Sequence, residues 1–67
     1  MRADPLLLVT GAGGQVGREV VRLATAGGTP FVALDRAGLD IADPVAVART
    51  VQEVRPAVIV NCAAYTA

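Results

Sequence analysis

Leu7-Leu8-Val9-Thr10-Gly11-Ala12-Gly13-Gly14-Gln15-Val16-Gly17 joins an apolar run to a helical pattern through a turn with glycines at 11, 14 and 17. Leu6 to Thr10 reads as a short buried strand ended by glycine. From Gln15 to about Ala26, Val16, Val20, Leu23 and Ala24 fall on one stripe, with Arg18, Glu19 and Arg22 elsewhere. A glycine-rich turn between a strand and a helix leaves backbone amides unpaired at the positive end of the helix dipole, where an anion binds. In a β-α-β unit the expected anion is the pyrophosphate of a dinucleotide.

Working outward, Gly27-Gly28 ends the first helix. Pro30 to Leu34 forms a second apolar strand, closed by Asp35-Arg36. A loop runs from Ala37 to Ala42. Asp43 caps the next helix and Pro44 sits in its first turn. Val47, Ala48, Val51 and Val54 continue an apolar stripe until Arg55-Pro56 stops it. Ala57 to Val60 is the third strand, running into Asn61-Cys62-Ala63-Ala64-Tyr65-Thr66. The order β-α-β-α-β specifies an α/β fold, half of a Rossmann-type doubly wound parallel sheet. Right-handed crossovers place the first strand in the middle of a larger sheet, and the expectation is that one of its edges has no partner within these residues.

The sequence has 67 residues, 54% of them apolar, and no net charge. A complete doubly wound domain is about twice as long or more, and a chain this short buries only about 60% of its unfolded surface. Residues 1–67 are therefore expected to form a partial dinucleotide-binding domain. The apolar richness suits a parallel sheet covered on both faces. All six basic residues are arginines and none cluster, which argues against a nucleic-acid surface or a polybasic membrane anchor. No apolar run approaches the ~20 residues of a membrane span. Arg2 before Leu6-Leu7-Leu8-Val9 faintly resembles a signal peptide, but the run breaks at Gly11. Cys62 is the single cysteine; it reads as a small buried apolar residue, and the setting as reducing and cytoplasmic.

The spacing refines the ligand. The pattern G-x-G-x-x-G requires glycine at 16, where valine stands; Gly11-x-x-Gly14-x-x-Gly17 is the spacing of short-chain dehydrogenases/reductases. A P-loop requires lysine, which is absent, so triphosphate hydrolysis is not expected. Asp35 closes the second strand, where a carboxylate accepts hydrogen bonds from an adenosine ribose. Arg36 suits a 2′-phosphate or an adenine face, or is an ordinary solvated charge. The two residues pull in opposite directions, so both NADH and NADPH remain open. Asp40-Ile41 offers a carboxylate and an aliphatic face to adenine, and Asp40 equally suits a turn. Ala64, Tyr65 and Thr66 leave the third strand at the end where open α/β sheets bind ligands. The candidate cofactor-binding set is thus Gly11, Gly14, Gln15, Val16, Gly17, Asp35, Arg36, Asp40, Ile41, Ala64, Tyr65 and Thr66.

Val9-Thr10-Gly11-Ala12-Gly13-Gly14-Gln15-Val16-Gly17-Arg18-Glu19, Ala33-Leu34-Asp35, Leu39-Asp40-Ile41 and Arg55 through Thr66, taken in this order and spacing, resemble the start of the dTDP-4-dehydrorhamnose reductases. These are extended short-chain dehydrogenases/reductases. The resemblance implies reduction of dTDP-4-dehydro-L-rhamnose to dTDP-L-rhamnose by NADH or NADPH, for dTDP-rhamnose biosynthesis. It places Gly14, Gln15 and Val16 at the pyrophosphate, Asp35 at the ribose, Asp40-Ile41 at the adenine, and Ala64, Tyr65 and Thr66 at the nicotinamide half. It also implies a homodimer, in some members with magnesium, built through other parts of the full-length protein.

The family's catalytic Tyr-x-x-x-Lys lies well downstream. This sequence has no lysine, so Tyr65 is not that tyrosine and no catalytic residue is assigned. Without the proton donor and the sugar-nucleotide pocket, residues 1–67 alone are expected to show no reductase activity. Two other uses of the same half-domain stand beside this one: a non-catalytic dinucleotide-binding module, and part of an NAD-dependent sugar-nucleotide epimerase or dehydratase.

Overall fold

The computed structural model describes residues 5–63. Strand β1 (Leu7–Thr10) leads through the glycine turn into helix α1 (Gln15–Ala26), then β2 (Phe31–Leu34), α2 (Pro44–Val54) and β3 (Val58–Asn61). All three strands are parallel, in the order β2-β1-β3. Leu7 stands between Phe31 and Val58, and Thr10 between Leu34 and Asn61.

This order corrects one expectation. β1 has no free edge, because β3 occupies the side opposite β2. The chain steps from β1 to β2, then crosses back over β1 to reach β3. Two right-handed crossovers in opposite directions put α1 and α2 on opposite faces of the sheet. The open edges among the described residues are therefore the outer sides of β2 and β3. Leu8 and Val9, which point to opposite faces, are 1% and 0% exposed. Val58 and Ile59 of β3 are 47% and 51% exposed. The same aliphatic residue types differ in burial because β1 has neighbours on all sides and β3 does not.

α1 packs on β1 and β2, along the expected stripe at Val20 and Ala24 but not at Val16 and Leu23. Val16 and Leu23 are 65% and 56% exposed, whereas Gly17 and Ala24 are buried and Val20 and Val21 half-buried. The inward face is thus 17, 20, 21 and 24, a set at spacings of three and four. A face that begins with glycine carries no hydrophobic signal at its first position. α2 has no fully buried residue. Its Val47 and Val51 face Leu8, Thr10, Ile59 and Asn61 across a space of about 100 Å³. Its ends are as expected: Asp43 caps the start, and Arg55 ends it in the left-handed conformation at φ 50°. Among the described residues no helix is long and apolar enough to cross a membrane.

Candidate functional site

The carboxyl ends of the three strands meet at an open cleft of about 840 Å³, within the range of ligand pockets. The end of β1 is joined to the end of β3: Thr10, buried, donates from Oγ1 to Asn61 Oδ1 at 2.9 Å, and the Cys62 amide donates to the Thr10 carbonyl at 2.9 Å. Asn61 Oδ1 also accepts from the Ala63 amide at 3.1 Å. This brings the backbone of Cys62 and Ala63 directly against the glycine turn. A Cβ on Gly11 would stand 2.6 Å from Ala63 Cα, and Gly11 has a φ of 66°. Close approach and positive φ each require glycine there. Gly17 answers a different need. Its Cβ would stand 2.6 Å from Ala12 Cα, so its absence lets the first turn of α1 lie under the loop.

At the head of α1, Gly14 takes the N-cap position with extended backbone (φ −84°, ψ 176°) and no side-chain cap. The Arg18 amide makes the first helical bond, to the Gly14 carbonyl at 2.9 Å. The preceding amides of the first turn have no intrahelical acceptor, and no acidic residue lies in that turn. These unpaired N–H groups and the dipole make a seat for an anion. Space is available as well: a Cβ on Gly14 would meet only the Gly11 carbonyl oxygen, at 3.8 Å. An anion therefore has room at the head of α1, which opens into the cleft.

The far wall comes from the end of β2 and the following loop. Asp35, Arg36, Asp40 and Ile41 all line the cleft with Gly11, Gly14, Gln15 and Val16. Both carboxylates also shape the loop. Asp35 Oδ1 accepts from the Gly38 amide at 2.9 Å, and Asp40 Oδ1 from the Ala42 amide at 2.9 Å. The turn reading of Asp40 and its place in the cleft therefore hold together. Arg36 makes no ion pair among the described residues, where the single pair is Arg22 with Glu19 on the outer face of α1. Arg22 holds the Glu19 carboxyl below its ordinary range, and Glu19 raises the Arg22 guanidinium in turn.

Gly17 does not line the cleft; it is buried beneath the turn. Ala64, Tyr65 and Thr66 lie outside the described residues. The cleft also includes Gly13, Ala37, Leu39, Ala42, Cys62 and Ala63, which the sequence reading left out of the candidate set. Leu39 is the notable addition. It is buried, and the turn held by Asp35 folds it inward from a loop that has no periodicity to announce it. Cys62 is half-buried at the cleft wall, with a free thiol.

This chain is 54% identical over 63 residues to a dTDP-4-dehydrorhamnose reductase of Streptomyces griseus, covering 94% of the chain and 21% of that protein. It is 49% identical over 59 residues to a dTDP-4-keto-6-deoxy-D-glucose reductase of Streptomyces niveus, covering 88% of the chain and 20% of that protein. The fold matches the crystal structure of dTDP-4-dehydrorhamnose reductase from Bacillus anthracis in complex with NADP. That match has a TM-score of 0.89 and 33% identity, and covers 100% of this chain and 24% of that one. The chain thus spans about a fifth of the length of its relatives. With the glycine turn, the parallel sheet and these similarities in agreement, the chain belongs to the RmlD substrate binding domain family, which it matches over residues 5–67.

Proposed function

We propose that residues 1–67 are the cofactor-holding, amino-terminal segment of an NAD(P)H-dependent dTDP-4-dehydrorhamnose reductase of the extended short-chain type. The full-length protein reduces dTDP-4-dehydro-L-rhamnose to dTDP-L-rhamnose in a cytoplasmic setting. The observation that carries this reading is the uncapped head of α1 opening into the same cleft as Asp35, Arg36 and Ile41. The crystallised relative bound to NADP and the relatives named as reductases of dTDP-sugars support it.

The cofactor, when bound, supplies the hydride for the 4-keto carbon. The chain's own residues bind and orient it. Amides of Gln15 and Val16 donate to the pyrophosphate beside Gly14, whose own amide donates to the Gly11 carbonyl at 3.3 Å, and the α1 dipole adds its field. Asp35 accepts from an adenosine ribose hydroxyl, and Arg36 faces a 2′-phosphate or the adenine. Asp40 and Ile41 bound the adenine, and Ala64, Tyr65 and Thr66 follow the nicotinamide half. Gly11 and Gly17 act by keeping the turn closed against β3 and α1. The proton donor for the carbonyl oxygen, the dTDP-sugar pocket and a homodimer contact, with magnesium where one is used, belong to the remaining length of the protein.

The test is calorimetric titration of NADH and NADPH into the full-length protein, with Asp35→Ala and Arg36→Ala made separately. Loss of a hydrogen bond to a charged group weakens binding by about tenfold or more. Asp35→Ala is expected to show this for NADH, and Arg36→Ala for NADPH. If neither change alters affinity or preference, the adenosine-side assignment falls.

A further inference from the structure

Asp35 is held by the turn that follows it. Its Oδ1 accepts from the Gly38 amide at 2.9 Å, and its carbonyl accepts from Gly38 at 3.1 Å and from Leu39 at 2.8 Å. Opposite, Gly13 presents no side chain; a Cβ there would only reach ordinary contact with Asp35 Cβ, at 3.4 Å. One carboxylate oxygen is therefore committed to the turn, and Oδ2 has no partner among the described residues. Gly38 itself does not line the cleft.

Resting on the ribose reading above, we infer that Gly38 is a positioning residue for cofactor choice: its amide fixes the Asp35 carboxylate so that one oxygen meets the ribose diol. The two cofactors respond differently to that fixing. A hydrogen bond from a ribose hydroxyl is directional and needs a stationary acceptor. Repulsion between the carboxylate and a 2′-phosphate falls off slowly with distance and survives rotation of the side chain. Releasing Asp35 from Gly38 thus removes the gain for NADH and leaves most of the penalty for NADPH.

The experiment measures Kd for NADH and NADPH in the full-length protein. Gly38→Pro deletes the amide hydrogen while the Leu39 amide still holds the Asp35 carbonyl. NADH is expected to weaken about threefold to tenfold, with NADPH changed by less than about twofold. Gly38→Ala keeps the donor; its Cβ would meet the movable Leu34 Cδ2 at 3.2 Å and stand in ordinary contact with the Asp35 carbonyl oxygen and Oδ1 at 3.6 Å, and the wild-type ratio is expected to persist. In an Asp35→Ala background, Gly38→Pro is expected to leave the ratio where Asp35→Ala put it. Equal weakening of both cofactors, or an additive effect in that background, overturns the inference.

Asp35→Asn provides the check if Gly38→Pro does not fold. Its carbonyl takes the Gly38 bond and its NH2 is presented to the ligand, so preference moves toward NADPH at least as far as in Asp35→Ala. Retention of the wild-type preference by Asp35→Asn counts against the inference. If Asp35→Ala moves neither affinity, the ribose reading itself fails. If Asp35→Ala moves the ratio and Gly38→Pro does not, only the role of Gly38 fails.

Discussion

The two helices of this chain begin in opposite ways. At α2, Asp43 Oδ1 accepts from the Val45 and Ala46 amides at 3.1 and 3.2 Å, and Pro44 removes one further donor. At α1 the cap is glycine, no side chain accepts, and the first turn has no acidic residue. Both ends carry the same partial positive charge. The anion that satisfies it is built into the sequence at α2. At α1 the place is kept clear and opens into the cleft. Glycine at the cap forgoes only a few tenths of a kcal/mol relative to a capping side chain, and in exchange it leaves the head of α1 clear of any built-in acceptor.

The largest expected effect tests the turn that holds α1 in this pose. Gly11→Val places a side chain onto the Ala63 backbone at a residue with positive φ. No flexible group is available to give way, so we expect a loss of about 3 kcal/mol or more in stability together with loss of cofactor binding. Urea denaturation and cofactor titration of the full-length protein check both. A protein of wild-type stability would show that the turn and β3 are not in contact.

A second variant makes α1 resemble α2. Gly14→Asp is sterically permitted, since only the Gly11 carbonyl lies near, at 3.8 Å. The new carboxylate caps the helix and raises the melting temperature of the cofactor-free protein. It also occupies the anion seat with like charge, and dinucleotide affinity is expected to fall by at least about tenfold. Unchanged affinity would place the pyrophosphate elsewhere.

The reciprocal change is smaller. Asp43→Ala removes the α2 cap and is expected to cost about 1 kcal/mol in denaturation, with cofactor affinity unaltered. A shift in affinity would show that α2 is coupled to the cleft.

The smallest effect belongs to the outer face of α1. Glu19→Gln breaks the exposed pair with Arg22 and is expected to leave the denaturation midpoint within error at neutral pH. The sign is fixed by the lowered carboxyl pKa. What the pair contributes is full above the ordinary carboxylate range and is lost as pH falls through the depressed value, so a wild-type advantage that appears only in acid would have the wrong sign for this pair.

Much of this was readable residue by residue. Asp43-Pro44 announced the start of α2 because a cap is a local interaction between a side chain and amides two and three residues ahead. Gly11, Gly14 and Gly17 announced the turn because each glycine answers a backbone requirement. The apolar stripe of α1 marks Val20 and Ala24 correctly and fails at Val16 and Leu23, because the glycine that faces the sheet carries no apolar signal. The burial of Leu39 comes from a turn held by Asp35, which no periodicity signals. Asp35 and Asp40 each turned out to hold a loop amide as well as line the cleft, a double use that residue type alone does not reveal.

The sequence by itself determined the elements, their order along the chain and the uncapped head of α1, since these follow from contacts within a few residues. Only the tertiary structure decided that β3 lies beside β1, that Gly11 must pass beneath Ala63, and which residues close the cleft. Those facts depend on pairing between segments about fifty residues apart, and the competing positions for β3 differ in crossover path rather than in any local signal.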